Sequence, residues 1–336
     1  MAVATRTGSR HGELGLTDER MLEMYYYMLL TRRLDERLWL LQRSGKIPFV
    51  ISAQGQEGAQ VGAAFALEKG VDWVVPYYRD LGTVLVMGMT PREVFLHAFA
   101  REGDPSSGGR QMAHHWSHRR WNIVSGSSPV ATQVPHAVGI ALGARMQGKN
   151  IVVLTALGEG SSNQGDFHEA LNFAGVHKLP VIVHVQNNEY AISVPLRKQL
   201  ACQNVADRAA GYGMPGVVVD GTDVLEVYRV FREAVARARR GEGPTLIESK
   251  NVRLTAHSSD DDDKTYRPRE ELEAARRRDP LATTRQYLYE AGLLDEAREK
   301  ELEDRVRREI DEAAAWAEAQ PHPSVESMFR HVYKEA

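Results

Sequence analysis

Two short segments gather the residues whose type and spacing can do chemistry: Gly158-Glu159-Gly160 and Asn187-Asn188-Glu189-Tyr190. Each directly follows an apolar run, NIVVLTAL at 150–157 and PVIVHVQ at 180–186. A carboxylate left uncompensated at the tip of a buried strand costs on the order of several kcal/mol. Glu159 therefore calls for a cation. Asn188 offers a neutral amide oxygen at the neighbouring strand end, and the backbone carbonyls of Glu189 and Tyr190 follow it. A carboxylate, an amide oxygen and a carbonyl, completed by phosphate oxygens and water, supply the octahedral shell of Mg2+. A helix starting near Asn163 presents its N-terminus to the same place, which favours an anion. Diphosphate with Mg2+ is the implied occupant. Arg79, in an aromatic stretch with Tyr77 and Tyr78, is a planar fork suited to phosphate oxygens.

These groups need a frame. The runs at 150–157 and 180–186 read as buried strands, and 167–179 between them reads as a helix. A further helix at 223–240 and strand at 245–253 continue the alternation. Near-continuous apolar strands joined by helices predict an α/β fold, a parallel sheet covered by helices on both faces. Ligands of such sheets bind beyond the carboxyl ends of the strands, where both segments lie. Upstream, Thr17 caps a helix that runs through Leu41 and is ended by Gly45 and Pro48. Small and apolar residues at 129–148 predict a helix packed in the interior, while 73–79 and 103–118 read as glycine- and aromatic-rich loops. The four aspartates at 260–263 read as a flexible loop, and charged helices follow. The expected organisation is a loose tail at 1–16, a diphosphate-binding domain at 17–275 and a C-terminal helical extension at 276–336.

Other readings of the same residues compete. GEGSSN nearly matches the dinucleotide fingerprint, but Asn163 replaces its last glycine, and Asn187 and Asn188 stand where an acidic ribose ligand belongs. No G-x-x-x-x-G-K-[ST] segment occurs. Glu159 as a structural carboxylate beside ordinary turn asparagines stays open, as does a non-catalytic Mg2+-nucleotide binding module. His114, His115 and His118 have roughly zinc-like spacing without a cysteine or carboxylate partner, and are expected as mobile loop residues near the site.

GEG followed by NN, with Glu159 and Asn188 29 positions apart, resembles the thiamine-diphosphate motif. The resemblance extends through GKIPFVISAQGQEGAQVG (45–62), YYRDLG (77–82), GRQMAHHW (109–116), SSPVATQVPHAVG (127–139) and RLTAHSSDDDDKTYR (253–267), and covers nearly all of 20–336. It is similar to the α subunits of thiamine-diphosphate-dependent 2-oxo acid dehydrogenases, those of the branched-chain type in particular. The resemblance implies the thiamine-diphosphate-binding fold, with Glu159, Asn188 and the carbonyl of Tyr190 on Mg2+. It places Tyr78, Arg79 and His257 at the diphosphate, with His257 as the candidate catalytic residue. Ser128, Gly160 and Ser161 would line the rest of the cofactor surface, and Ser127, Pro129, Thr132 and Gln133 match a segment that holds structural K+ in the branched-chain enzymes. Phe49 and Val130 would wall the substrate pocket. Gln186 stands where those enzymes often carry arginine, which removes one phosphate contact. The implied activity is oxidative decarboxylation of branched-chain 2-oxo acids, with acyl transfer to a lipoyl acyltransferase core. Pyruvate and acetoin are the alternative substrates. A β subunit would complete the site in an α2β2 heterotetramer.

Composition agrees with such an enzyme. Of 336 residues, 43% are hydrophobic and 26% charged, with 42 basic and 45 acidic side chains for a net charge of −3. No sequence-wide positive field would hold nucleic acid. Cys202 is the only cysteine, which excludes internal disulfides and multi-cysteine metal sites. No apolar run reaches the ~18–20 residues of a membrane span, and the first fifteen residues lack a signal-peptide core. A cytoplasmic protein is expected.

Overall fold

The computed structural model of the chain describes residues 8–330, 332 and 333. Its centre is a five-stranded, wholly parallel sheet in the order β1 (Trp73–Val75), β2 (Val153–Gly158), β3 (Val181–Asn187), β7 (Thr245–Lys250), β6 (Gly216–Asp220). Two further strands, β4 (Tyr190–Ala191) and β5 (Val194–Pro195), form a small antiparallel hairpin just after β3. The register aligns Gly158 with Gln186, so the segments that open at Glu159 and Asn188 leave adjacent strands at the same edge.

The strands are apolar throughout because both faces are covered. Leu154, Ile182 and Ile247 pack toward one face, in a core shared with helices Asp18–Arg43 and Val224–Arg239. The alternate residues Val153, Val181 and Leu246 face the other side, against helices Gln133–Met146 and Gly165–Val176. The helix Asp18–Arg43 starts as expected, with the Thr17 side chain accepting from the Arg20 N–H. It also buries ions. Arg32 donates to Glu57 at 2.6 Å and to both oxygens of Asp279 at 2.9 and 2.8 Å, tying three helices together. Of the described residues, none belongs to a helix long and apolar enough to cross a membrane.

Several local expectations are corrected. The segment 73–79 opens with β1, a three-residue strand too short for a periodicity argument. The helix expected over 129–148 spans Gln133–Met146 and is not enclosed, for Val134, Ala137 and Ala141 are buried while His136, Gly139 and Met146 face outward. The turn after β2 is a 3-10 helix, Glu159–Asn163, and the α-helix begins only at Gly165. Residues 1–7 of the expected tail lie outside the described residues, but 8–16 are folded. Ser9 caps the short helix Arg10–Glu13, and His11 and Leu16 are buried.

The C-terminal helices Pro280–Glu290 and Glu296–Glu318 are part of the body. Val306, Ile310 and Ala313 share one core with Leu34, Leu38 and Phe95. Ile310 is 3% exposed, so truncation leaves a cavity between three helices. Ile310→Ala should therefore destabilise the chain by about 2–5 kcal/mol, read as a lower denaturant midpoint at unchanged slope.

Candidate active site

The carboxyl ends of β2 and β3 meet as their register requires. Glu159 is 1% exposed, and its Oε2 accepts the Asn188 N–H at 3.3 Å. Its Oε1 and the Oδ1 of Asn188 are both buried without a hydrogen-bond partner. Two bare acceptors at adjacent strand ends cost about 1–3 kcal/mol each, and burial pushes the Glu159 carboxyl up from its ordinary range, against the pull of the Glu159 and Asn188 N–H groups, the Gln199 side chain and Arg253. A divalent cation would relieve all of this at once, so the donor set fits Mg2+.

The turn carrying Asn188 is held from behind. Asn187 donates to Glu248 at 2.7 Å, and its own side-chain oxygen accepts the Glu189 N–H at 2.9 Å. That bond keeps Glu189 in the left-handed region at φ 72°. The Glu189 carbonyl accepts the Leu196 N–H at 2.8 Å. The ring of Tyr190 lies beneath Arg253 and Arg267, 5.6 and 5.8 Å from its centroid, and its hydroxyl donates to Glu271 at 2.6 Å. Gly160 is required by proximity, because a Cβ there would sit 2.5 Å from the Cβ of Ala191.

Cationic and hydrogen-bonding groups face this acidic corner. Arg79 is 2% exposed and has no carboxylate partner among the described residues. Its guanidinium donates to the Ser52 carbonyl and, at 3.3 Å, to Nδ1 and the carbonyl of His257. Because a guanidinium can only donate, Nδ1 of His257 accepts, and the imidazole proton sits on Nε2. Burial and the nearby Arg79 and Arg253 hold His257 down to about 3, so it is neutral and acts as a hydrogen-bonding group rather than a cation. Tyr78 packs edge-on against His257 with ring centroids 6.1 Å apart. Arg253, 1% exposed, donates to the Ile192 carbonyl at 3.1 Å and to the Tyr266 hydroxyl at 2.8 Å. The acidic stretch expected as a flexible loop carries its own bonds, with Asp261 accepting the His257 N–H at 2.7 Å and the Tyr266 hydroxyl.

Between the two sides lies a cavity of about 520 Å³. It is lined by Tyr78, Arg79, Ser128, Glu159, Gly160, Ser161, Asn188, Tyr190 and His257, and by Phe49 and Val130. The structure thus brings together every residue expected at cofactor and substrate. Ile51, Met112, Ala113 and Ile192 add apolar wall. Ser127, Pro129 and Thr132 form a separate knot in which both hydroxyls donate to the Pro129 carbonyl, at 2.7 and 3.2 Å. Gln133 instead turns its amide toward the Ala156 carbonyl at 2.7 Å.

Gln186 does not face the cavity. It is fully buried, donates to Asp80 at 2.5 Å and accepts from Gln60 and Tyr77 at 3.0 and 3.2 Å. The three histidines disperse, each with a hydrogen-bond partner of its own. His114 accepts the Ile51 N–H at 3.2 Å, His118 meets Glu93 at 3.1 Å, and His115 bonds Ser128 at 2.8 Å in the cavity wall. Of the described residues, no three His, Cys, Asp or Glu are grouped to hold a metal. Sequence reasoning named His115 only as a loop residue near the site and gave Arg253 no role, although it ends the strand expected at 245–253. The motifs GRQMAHHW and RLTAHSSDDDDKTYR that contain them were the further signal.

Two outcomes follow from this geometry. Glu159→Gln keeps shape but removes the charge, so Mg2+-dependent binding of thiamine diphosphate should fall at least roughly tenfold, read by titration calorimetry, with a melting temperature no lower than that of the parent. Asp80 is fully buried, and desolvation pushes its carboxyl up to about 7. Its contribution to stability is complete below pH ~4, the ordinary carboxylate value, and is lost as pH rises through about 7. The melting temperature of the parent relative to Asp80→Asn should accordingly decline across that window, and a flat difference refutes the assignment.

Comparison with known proteins bears on the whole chain. Residues 25–326 match the family described as dehydrogenase E1 component. The chain is 59% identical over 325 residues to "2-oxoisovalerate dehydrogenase subunit alpha" of Bacillus subtilis (strain 168), covering 97% of this chain and 98% of that one. It is 41% identical over 334 residues to "3-methyl-2-oxobutanoate dehydrogenase subunit alpha" of Mycobacterium tuberculosis, covering 98% and 87%. A "Pyruvate dehydrogenase E1 component subunit alpha" of Staphylococcus aureus is 37% identical over 324 residues, covering 95% and 84%. With a parallel α/β body, a cavity at its strand ends and full-length similarity of this degree, the chain belongs to the dehydrogenase E1 component family.

Proposed function

We propose that the chain is the α subunit of a thiamine-diphosphate-dependent dehydrogenase that oxidatively decarboxylates branched-chain 2-oxo acids and passes the acyl group to the lipoyl group of an acyltransferase. One observation carries this reading: bare buried oxygens on Glu159 and Asn188 face a buried, carboxylate-free Arg79 across one cavity. That is a site for a metal-bridged diphosphate. Glu159, Asn188 and the Tyr190 carbonyl hold Mg2+. Arg79, the Nε2–H of His257 and Tyr78 grip the diphosphate, and Gly160, Ser161 and Ser128 line the remaining surface. Ser127, Pro129, Thr132 and Gln133 are the proposed seat of K+. When bound, thiamine diphosphate supplies a carbon nucleophile and an electron sink for the decarboxylation.

What the protein adds is position and exclusion of water. Phe49, Ile51, Met112 and Val130 present an aliphatic and aromatic wall that suits an apolar acyl chain. The two relatives named for 2-oxoisovalerate and 3-methyl-2-oxobutanoate support that substrate class over pyruvate. Among the described residues the cavity lining has a single carboxylate, Glu159, and the metal claims it. The resemblance also implies a second acid at the other end of the cofactor, and we place it on another polypeptide, a β subunit in an α2β2 assembly.

The purified chain alone should therefore turn over 3-methyl-2-oxobutanoate with an artificial electron acceptor at background rate. Adding the β subunit, thiamine diphosphate and Mg2+ should restore activity, with kcat/KM higher for branched 2-oxo acids than for pyruvate. Turnover by the chain alone removes the split-site argument, and a preference for pyruvate reassigns the substrate. Tight binding of Mg2+-ADP in place of thiamine diphosphate identifies a nucleotide module instead.

A further inference from the structure

Asp35 sits well inside the helix Asp18–Arg43, is fully buried, and pairs with no cation. Both its oxygens are taken by one short stretch of backbone and side chain. Oδ1 accepts the Ala53 N–H at 3.1 Å, while Oδ2 accepts the Ser52 hydroxyl at 2.6 Å and the Gln54 amide at 2.8 Å. Burial pushes the carboxyl up to about 6, against those three donors. A buried carboxylate without a counter-ion is poor value for stability alone. What it does obtain is three consecutive residues fixed to a rigid helix.

Those residues are where the loops around the cavity converge. Val50 pairs with Ser259 at 2.8 and 3.2 Å, Ile51 donates to His114 at 3.2 Å, and the Gln54 carbonyl accepts the Leu254 N–H at 3.2 Å. The Ser52 carbonyl accepts from Arg79. Among the described residues the Arg79 guanidinium is held by this carbonyl, by His257 and by the Tyr78 ring 5.5 Å away, with no carboxylate to fix its fork. A fork that must meet an anion needs support from behind to within a fraction of an ångström.

We propose that Asp35 is a positioning residue: by fixing residues 52–54 to the long helix, it sets the Ser52 carbonyl that aims Arg79 at the cofactor's diphosphate. The inference rests on the thiamine-diphosphate reading above and adds a residue that lines no part of the cavity. Asparagine keeps the shape but removes the charge that strengthens all three bonds. Its one acceptor oxygen can hold the Ala53 N–H only if the Gln54 amide flips and the Ser52 hydroxyl turns to accept, which loosens the tie to residues 52–54.

The test is a double-mutant cycle on Mg2+-thiamine diphosphate affinity at pH 7.5, using the full chain in the assembly in which it is purified. Asp35→Asn should weaken binding roughly tenfold. In the Arg79→Gln background the same substitution should cost less than about twofold, because the group it aims is gone. Equal losses in both backgrounds mean that Asp35 is only structural and overturn the proposal, as does an unchanged affinity in the single variant. If Arg79→Gln itself leaves binding intact, the diphosphate reading fails, and this inference with it. Should Asp35→Asn not fold, Ser52→Ala keeps the carbonyl but removes one bond to Asp35. It should show a smaller loss with the same dependence on Arg79, and additivity there overturns the proposal.

Discussion

Two buried charges of opposite sign face one cavity, and the protein pairs neither of them. Glu159 and Arg79 are almost wholly shielded from water, yet among the described residues no cation bonds Glu159, whose Oε1 is bare, and no carboxylate bonds Arg79, which is held by carbonyls and a neutral imidazole. In a low-dielectric setting that arrangement is costly unless something brings the complementary charges. The proposed metal-bound diphosphate would do so, with Glu159 holding the cation and Arg79 the anion. Much of the surrounding fold can be understood as what stops these two groups from collapsing onto protein partners.

The parallel sheet accomplishes half of this. Because β2 and β3 run side by side in register, their ends cannot drift relative to one another, and Asn187 is further tied across β3 to Glu248 on β7. The other half falls to helices and loops with no regular ladder. Here polar side chains substitute for ladder bonds: Arg32 with Glu57 and Asp279, Gln186 with Asp80, Asp35 with residues 52–54. Each is buried and specific in direction. Left-handed backbone at His114, Ala131, Glu189 and Ile192, all in loops that carry the cavity, shows the same trade of local ease for placement.

The legible parts of the sequence were those written in short-range pattern. Apolar strands ending in GEG and QNN located Glu159 and Asn188, because strand ends are where an α/β sheet presents chemistry. The motif resemblance supplied Tyr78, Arg79, Ser128 and His257, and the cavity gathers them all. What stayed hidden depends on contacts distant in sequence. β1 is defined by its pairing with β2 and not by its three residues. The open side of Gln133–Met146 cannot be read from small residues that suit interior and surface alike. Gln186 looked like a lost phosphate contact, whereas its partner Asp80 is 106 positions away and shows it to belong beneath the site. The neutrality of His257 follows from its burial and from two arginines brought close only by folding.

The contact between Gly160 and Ala191 has a consequence for the metal. With no side chain at Gly160, the turn after β2 and the hairpin after β3 touch backbone to methyl, leaving no slack between the segments that carry the two oxygens. The distance between the two main chains is then fixed, and only rotation of the Glu159 and Asn188 side chains remains to adjust the span between their oxygens. A cation bound there would meet a narrow range of spans, which suits a small, octahedral ion better than a larger, more permissive one. Part of any preference for ionic radius would in this way reside in a glycine that offers the metal no ligand at all.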